Sequence, residues 1–575
     1  MSNYMYQRYP EWAQELAEKY FSKTINQFIL HGNVHDMIHV NAVEDEVEED
    51  FLRLRPFLSD ELFGARELVL FYDRSGGIQF RDKETQQDFS RAVSGYDSYA
   101  GTDFARKMPK DPVRVFSLLE NYFRLRLGDG KSIACIIDYS ETIVPMNEGG
   151  AASSEDRNAL VYLQKWAHDP LFLQSDFTLV LLTENLKDLN KSLVQSPYNA
   201  EIGITLPGQA MRERYIRHFF NEKEKEQVTE LSYEVLAQQT AGLSFVNVQS
   251  LLSGAYENEQ KIDYGHLSRQ KKELIEAEAY GLLEFVETTY SLDSVAGHKK
   301  VKEHLREAAT ALKHGRPDVL PMGYLVCGPV GTGKTFMVTC FASEVGVPMV
   351  KLKNFRSQWQ GVTESNLEKI LALLEAMAPV AVMIDEADAY LGDRSSSGDS
   401  GVSSRVFAQI AQFMSNTEHR GRILWFLMTA RPDLMPIDLK RQGRAEEHLA
   451  LFYPDTEEER VELFEAMKKK TGLKTDTEEV PESIRKGDYQ FTGADMEAAL
   501  TRAKFKAATQ SKESIDFELL EEVFADFIPP NYPEEIELQI LTAVQECTSR
   551  RLLPEKYQQM DRADVTSRIE ALRMG

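Results

Sequence analysis

The feature that most constrains this chain is a glycine-rich segment at residues 328–335, which reads Gly-Pro-Val-Gly-Thr-Gly-Lys-Thr. The apolar run 324–327 precedes it and a second apolar stretch begins at Phe336, so a buried strand is predicted before the glycines and a helix after them. This order is typical of a phosphate loop, in which backbone N–H groups and a helix N-terminus face phosphate oxygens. The sequence therefore predicts an open α/β sheet that binds a nucleoside triphosphate.

The positions of this segment have distinct expected roles toward ATP and Mg²⁺. Lys334 is expected to reach the β- and γ-phosphates, and Thr335 to ligate Mg²⁺. The remaining predicted nucleotide-binding residues are Gly328, Pro329, Val330, Gly331, Thr332, Gly333 and Phe336. A plain glycine turn is the alternative, but the fixed positions of the motif and the flanking elements disfavour it.

A second buried strand is predicted at residues 379–384, and it ends in Asp385 and Glu386. Ligands of open α/β sheets bind at the carboxyl ends of the strands, so both carboxylates are expected beside the phosphate loop. Asp385 is expected to hold Mg²⁺ through water, and Glu386 to polarise the attacking water as a catalytic residue. Many strands end in acids, but the separation of 51 residues from Lys334 makes this pair specific.

Three further motifs follow, at residues 429–433 (TARPD), 440–444 (KRQGR) and 492–497 (TGADME). With these in order, the region from about Ser291 to Pro530 resembles the AAA ATPases of the AAA+ superfamily, which carry a phosphate loop, an Asp-Glu strand, sensor 1, paired arginines and sensor 2. The resemblance implies ATP hydrolysis. It also implies that Gly493 and Ala494, at sensor 2, lie at the nucleotide.

The resemblance also implies that Arg441 and Arg444 are catalytic arginine fingers, which reach the γ-phosphate of a neighbouring subunit. Such fingers contribute about 10³ to 10⁵ in rate in related enzymes. The active unit would then be a homo-oligomeric ring, a hexamer in this family. As an alternative, the two arginines are surface charges or pair with Glu446 and Glu447.

The chain departs from the family pattern at sensor 1, where Ala430 stands in place of the usual Asn that helps to place the attacking water. Thr429 precedes it and could supply a hydroxyl in the catalytic site if the strand end shifts. Slow hydrolysis is a consequence to be expected.

Residues 357–365 resemble the pore loop with which AAA rings grip polypeptide, with Trp359, Gln360 and Gly361 at its centre. An exposed aromatic residue on a glycine-hinged loop can wedge against a threaded chain without reading its sequence. Gln360 replaces the usual aliphatic residue, and the alternative is that Trp359 is packed in the core.

The first half of the chain repeats landmarks of the second half at separations of 246 to 248 residues, which indicates an internal duplication. The corresponding pairs are Asp138 and Asp385, Thr183 and Thr429, Pro207 and Pro454, and Ser244 and Thr492. In the first copy the segment 28–34 has no Gly-Lys-Thr, and Tyr139 stands where Glu386 stands in the second. This copy is predicted neither to bind nor to cleave ATP. Nearby, His31, His35, His39 and Asp36 are interpreted as a polar cluster at a strand end, with a metal site as the alternative.

The predicted fold class is therefore α/β, with two tandem AAA-like modules, each a parallel-sheet phosphate-loop-type α/β domain followed by a small helical lid. The expected divisions are a degenerate AAA-like domain (1–275), the large ATPase domain (276–455), a helical lid with sensor 2 (456–530) and a C-terminal helical extension (531–575). The extension could dock on the next subunit or recruit a partner. A chain of 575 residues is long enough for two such modules.

Charge and cysteine content restrict the partners and the compartment. The net charge of −25 repels a nucleic-acid backbone, so a nucleic-acid motor is disfavoured. Four scattered cysteines fit neither a disulfide framework nor a zinc site. Residues 1–8 contain no hydrophobic signal segment, and the apolar stretch 370–384 is interrupted by Glu375, so a cytoplasmic protein without a membrane span is expected.

The leading functional hypothesis is a ring-forming ATPase that remodels or unfolds a protein client. The alternative is a nucleotide-gated assembly scaffold with slow hydrolysis and no threading, which Ala430 favours. The segment 398–401 (GDSG) before 404–407 (SRVF), together with the degenerate first copy, also resembles a group of cyanobacterial and plastid AAA proteins of poorly defined role.

Overall fold

The structure is a computed structural model that describes residues 8–40, 50–146, 153–220, 228–257, 261–279, 281–314, 316–353, 364–391, 402–486, 490–510, 512, 514–529 and 532–574. The chain divides into two compact units. The first comprises Met1–Ala277 with Val362–Ala376, and the second comprises Glu278–Gly361 with Met377–Gly575. Each unit contains a six-stranded, mostly parallel sheet with helices, which confirms the predicted fold class.

The sheet of the first unit has the strand order β5-β4-β6-β7-β1-β8, and only β4 and β5 are antiparallel neighbours. Every residue of β6 and β7 is buried, as expected for central parallel strands with both faces covered. Its strands, with the separate antiparallel pair β2-β3, are β1 Gln27–Gly32, β2 Met37–Val40, β3 Asp50–Arg53, β4 Leu68–Asp73, β5 Gly77–Phe80, β6 Ile133–Ile137, β7 Phe177–Thr183 and β8 Asn199–Ile204.

Helices follow most strands of this unit, and the last four of its continuous segment form a helical region after the sheet. The helices are Glu11–Phe21, Leu54–Pro56, Phe57–Leu62, Lys83–Ala100, Pro112–Gly128, Ser140–Thr142, Ser154–His168, Pro170–Gln174, Leu186–Asp188, Lys191–Val194, Gln209–Phe219, Tyr233–Gln239, Phe245–Glu257 and Tyr264–Glu278. Local sequence explains several starts; for example, Ser153 and Asp156 form a reciprocal capping box at Ser154–His168. Helix Glu364–Met377 also falls almost wholly within the residues of this unit.

The sheet of the second unit repeats the same arrangement, with the order β14-β10-β13-β12-β11-β9 and one antiparallel edge pair, β11 with β9. The edges differ in connectivity, because β5 follows β4 in the chain whereas β9 precedes all other strands of its sheet. The strands are β9 Leu283–Val286, β10 Gly323–Cys327, β11 Met349–Leu352, β12 Val380–Ile384, β13 Ile423–Thr429 and β14 Glu447–Ala450.

The second unit carries the nucleotide motifs, a helical lid and the C-terminal helices. Its helices are Leu292–Ser294, Lys299–Lys313, Pro317–Val319, Lys334–Val345, Ala387–Leu391, Val402–Met414, Thr417–His419, Pro432–Leu434, Ile437–Leu439, Glu457–Thr471, Glu482–Lys486, Gly493–Thr509, Phe517–Asp526, Pro533–Glu546, Arg550–Leu552, Glu555–Gln558 and Arg562–Met574. The four helices between Glu457 and Asp526 share a core of their own, which includes Phe464, Met496 and Phe524.

One backbone detail marks the duplication. Tyr139, after β6, and Glu386, after β12, both have φ of 49°, in the left-handed region that residues with a side chain seldom adopt. The two positions are those that the sequence comparison pairs. The same strained turn therefore persists in the first copy although the glutamate has been replaced by tyrosine.

The C-terminal extension packs against the sheet of its own unit. Ala543 and Val544 of helix Pro533–Glu546 share a core with Cys327 at the end of β10 and Ala450 at the end of β14. The sequence left the docking of this segment open.

All four cysteines are free and buried. Within the described ranges, no helix combines the length and apolar character needed to cross a membrane.

Candidate functional site

The phosphate loop connects β10 to helix Lys334–Val345, as the motif predicts. Gly328 has φ of 137°, and a Cβ there would lie 2.0 Å from the carbonyl oxygen of Leu451, so no side chain fits. Gly333, at the start of the helix, has φ of 84° with open space around its Cβ position, and no side chain caps the helix. The N-terminal N–H groups of this helix are therefore available to phosphate oxygens, and the loop fits a nucleoside triphosphate.

Among the described residues, Lys334 hydrogen-bonds to backbone carbonyl groups of this loop and to no carboxylate. Its Nζ donates to the carbonyl oxygens of Gly328 and Pro329, at 2.8 and 2.9 Å. Burial lowers the pKa of Lys334 to about 8. A bound triphosphate would supply the missing negative charge and raise this pKa again.

We expect the affinity for ATP to decrease as the pH rises above about 8. Binding favours the protonated Lys334, which is the main form below that pH and must be regenerated above it, so the loss should approach tenfold per pH unit. Titration of a fluorescent ATP analogue with Mg²⁺ between pH 7.5 and 9.5 measures this effect. Lys334→Arg is the control, because any affinity that it retains should not vary with pH over this range. An affinity of the wild type that is constant to pH 9.5 would contradict the assignment.

The carboxylates after β12 lie beside the phosphate loop. Asp385 Oδ2 is 3.4 Å from Thr335 Oγ1, so the two predicted Mg²⁺ ligands meet. The same oxygen is 3.3 Å from Nζ of Lys351, a contact that sequence reasoning did not anticipate. Glu386 is exposed, and its backbone N–H donates to Asp385 Oδ1 at 3.1 Å. A hydroxyl and a carboxylate oxygen are suitable ligands for Mg²⁺.

Thr429, which precedes Ala430 at the predicted sensor 1 position, is hydrogen-bonded on both sides. Thr429 is buried at the end of β13, where its hydroxyl donates to Asp388 at 2.6 Å and accepts the N–H of Arg431 at 2.8 Å. The hydroxyl proton is thus directed to Asp388. A water-positioning role for Thr429 stays a prediction, and in this geometry it would act through Asp388.

The lid reaches the phosphate loop through the start of helix Gly493–Thr509, where Thr492 and Asp495 form a capping box. A Cβ on Gly331 would lie 2.6 Å from Cγ2 of Thr492, so a glycine is needed for this close approach. The predicted sensor 2 residues Gly493 and Ala494 form the first turn of that helix, next to the loop.

The paired arginines lie near the start of β10, at the end of the strands opposite to the phosphate loop. β14 runs parallel to β10 with Tyr324 beside Glu447, and the carbonyl oxygen of Arg444 is 3.3 Å from the Cβ position of Gly323, at the start of β10. The phosphate loop follows the other end of β10, roughly 13 Å away at about 3.3 Å per residue. Arg441 and Arg444 therefore do not converge on the phosphate loop of their own chain.

The alternative partners proposed for these arginines are wrong. Glu446 pairs with Arg420 at 2.7 Å, and Glu447 pairs with His304 at 2.5 Å. Arg441 and Arg444 instead face Asp438, at 3.6 and 3.8 Å. The Arg441 side chain is 59% exposed, and the buried Nε of Arg444 has no hydrogen-bond partner within the described part of the chain.

Two predicted segments cannot be placed. Trp359, Gln360 and Gly361, the predicted pore loop, lie outside the described residues, as does the segment 398–401.

The corresponding region of the first unit is closed by its own side chains. Asp36 is 2% exposed, and its carboxylate accepts the N–H groups of Phe245 and Val246, both at 3.0 Å, at the start of helix Phe245–Glu257. Asn33 donates to the same carboxylate at 2.7 Å. Asp36 therefore caps the helix that corresponds to the sensor 2 helix. Among the residues that the structure describes, no group of three His, Cys, Asp or Glu side chains is arranged to hold a metal ion.

Three protein-family profiles match the chain. Residues 5–205 match "AAA+ chaperone, N-terminal Rossmann-like domain", and residues 210–280 match "AAA+ chaperone, second helical domain". Residues 324–453, which contain the phosphate loop, the Asp-Glu strand and the arginines, match "ATPase family associated with various cellular activities (AAA)". The chain carries AAA-type domains in both of its halves. Residues 5–280 form a chaperone-type AAA+ region, and residues 324–453 form an AAA ATPase domain.

Relatives of this AAA protein include the "uncharacterized AAA domain-containing protein ycf46" of Trieres chinensis, 29% identical over 49% of the chain and 57% of the relative. The ycf46 protein of Guillardia theta is 25% identical over 65% of the chain and 79% of the relative. The "ATP-dependent zinc metalloprotease FtsH 3" of Symbiobacterium thermophilum is 30% identical over 40% of the chain and 38% of the relative. The match to the first and third of these thus spans less than two thirds of their length.

Proposed function

We propose that this AAA protein hydrolyses ATP within a homo-oligomeric ring, a hexamer by family resemblance, and uses the energy to remodel or unfold a protein client. The observation that carries the proposal is the meeting of Lys334, Thr335 and Asp385 at one loop, with the glutamate of the Asp-Glu pair adjacent. The proposed domains are those expected from the sequence, with the ATPase at 276–455 and its lid at 456–530.

Each proposed site residue has a chemical task. Lys334 and the N–H groups at the start of helix Lys334–Val345 bind phosphate oxygens, and Thr335 and Asp385 hold Mg²⁺. Glu386 accepts the proton of the attacking water. Bound ATP supplies the phosphoryl group, and Mg²⁺ offsets part of its charge.

The ring is supported by the position of the arginines. Arg441 and Arg444 lie at the end of the strands opposite to the phosphate loop of their own chain, so a second subunit is needed to bring them to a nucleotide. Arg444 also has a buried Nε without a partner, which a neighbouring acceptor would satisfy.

The second candidate is a nucleotide-gated scaffold, favoured by Ala430 and by the commitment of the Thr429 hydroxyl to Asp388. In that case ATP assembles the ring, hydrolysis is slow and no polypeptide is threaded. The four buried, free cysteines fit the proposed cytoplasmic location, where thiols stay reduced.

Trp359→Ala distinguishes the two candidates. If the ring pulls polypeptide, an unfolded model protein should stimulate ATP hydrolysis by the wild type, and Trp359→Ala should lose that stimulation because the wedge is gone. The measurement is phosphate release with and without the unfolded protein, together with melting temperature. Tyr99→Ala, which removes an exposed aromatic side chain from helix Lys83–Ala100, is the control and should retain the stimulation.

The outcomes lead to different conclusions. A wild type that is not stimulated favours the scaffold. If Trp359 is a core residue, its truncation should cost about 3 to 5 kcal/mol and lower the melting temperature. A stable Trp359→Ala variant with normal stimulation would exclude the pore-loop role.

A further inference from the structure

The C-terminal helix Pro533–Glu546 contacts the phosphate loop directly. Gln539 Oε1 accepts a hydrogen bond from the N–H of Val330, at 3.1 Å, although the two residues are 209 positions apart. Gln539 Nε2 donates to Glu535 Oε1 at 3.0 Å, one turn earlier in the helix. Both ends of the Gln539 amide are therefore used, one toward the loop and one toward Glu535.

From Glu535 the contacts continue to sensor 1. Arg431 Nη1 is 3.4 Å from Glu535 Oε1, and the same guanidinium forms two 3.0 Å bonds with the carboxylate of Asp433. The backbone N–H of Arg431 donates to the Thr429 hydroxyl, which donates to Asp388. A continuous path of polar contacts thus links the phosphate loop to sensor 1 and to the helix that follows Glu386.

Burial and geometry give this path weight. Gln539 is 7% exposed and Thr429 is 1% exposed, so an unpaired polar group at either place would carry a desolvation cost. The Tyr453 hydroxyl donates to the carbonyl oxygen of Val330 at 2.8 Å, so both backbone groups of this loop residue are held from outside the loop. Burial raises the pKa of Tyr453 to about 12, so its hydroxyl remains a donor at neutral pH.

We propose that Gln539 is a positioning residue for the phosphate loop, and that through Glu535 and Arg431 it couples the loop to sensor 1. The inference rests on the proposed function, because it concerns ATP binding and hydrolysis at that site. It assigns the C-terminal extension a role within its own subunit. Without the Gln539 amide, the N–H of Val330 loses its acceptor and the loop is no longer tied to the helix.

Gln539→Met tests the proposal, because methionine keeps the length and most of the packing of the side chain but removes the amide. The dissociation constant of a fluorescent ATP analogue should rise at least fivefold, and kcat should fall about threefold. Gln545→Met, on the same helix, is the matched control. Gln545 is exposed and its amide contacts Thr566, so both constants should stay within twofold of the wild type.

Glu535→Met tests the coupling, because Glu535 has no hydrogen bond to the loop but connects Gln539 to Arg431. Glu535→Met should reproduce part of the rise in the dissociation constant and of the fall in kcat. The double variant, with Glu535→Met and Gln539→Met together, should change neither constant more than Gln539→Met alone, because the effects of residues on one path are not additive. Additive effects would refute the coupling. Should Gln539→Met fail to fold, Gln539→Ala replaces it.

A folded Gln539 variant whose dissociation constant and kcat are within twofold of the wild type overturns the inference. This result is distinguishable from failure of the proposed function. A wild type that does not bind the analogue refutes the proposed function itself, whereas tight wild-type binding with an unaffected Gln539 variant refutes only the positioning role.

Discussion

Glu386→Gln is expected to bind ATP normally and to hydrolyse it at least tenfold more slowly than the wild type. The amide keeps the size and the left-handed turn of Glu386 but cannot accept the proton of the attacking water. A tenfold loss corresponds to about 1.4 kcal/mol in the activation barrier. Phosphate release at saturating ATP measures the rate, and a fluorescent analogue measures binding.

Lys334→Ala is the complementary variant and should abolish ATP binding, because the partly buried ammonium is the charge closest to the loop. Glu418→Gln is the matched control for the carboxylate change, since Glu418 is exposed in the short helix Thr417–His419 and should leave the rate unchanged. If purified Glu386→Gln turned over ATP at the wild-type rate, the assigned role of Glu386 would be refuted. The same variant, which retains ATP, would be suited to isolating clients from native cells.

The second large effect is expected from mixing two inactive proteins. Arg444→Ala should be inactive because the neighbouring site lacks its finger, and the loss should be on the order of 10³ or more in kcat. Lys334→Ala should be inactive because its own loop cannot bind ATP. In a mixed ring, an intact loop from the first protein meets an intact Arg444 from the second, so part of the ATPase activity should return.

The measurement is phosphate release as a function of the mixing ratio, with each variant alone at the same total concentration. Arg441→Ala, combined with Lys334→Ala in the same way, tests the second finger. Fully active monomers at micromolar concentration would sink the ring proposal. If no ATPase activity returned at any mixing ratio, the arginines would act within one chain or have only a structural role.

Local motifs account for most of what could be predicted about the nucleotide site. The phosphate loop lies between strand and helix as expected, because glycines at 328 and 333 permit backbone angles that other residues avoid. The duplication could also be recognised from the sequence, because β6 and β12 are short buried strands that end in the same two-residue turn. Apolar strands and glycine turns are specified by neighbouring residues, so they can be recognised from the sequence without knowledge of the fold.

Contacts between distant residues could not be predicted in this way. No sequence pattern near Gln539 indicates that it contacts the phosphate loop. Glu446 pairs with Arg420 and not with Arg441 or Arg444, which are closer to it in sequence. Asp36 was interpreted as part of a polar cluster, but its role as a helix cap depends on Phe245, 209 residues later.

The sequence by itself therefore determined that the chain contains two α/β modules, and it predicts that only the second has the groups for ATP chemistry. The tertiary structure alone decided at which end of the strands Arg441 and Arg444 lie, and which residues surround Val330. The physical reason is that motif chemistry depends on residues a few positions apart, whereas strand order and helix docking bring together side chains that no local pattern connects.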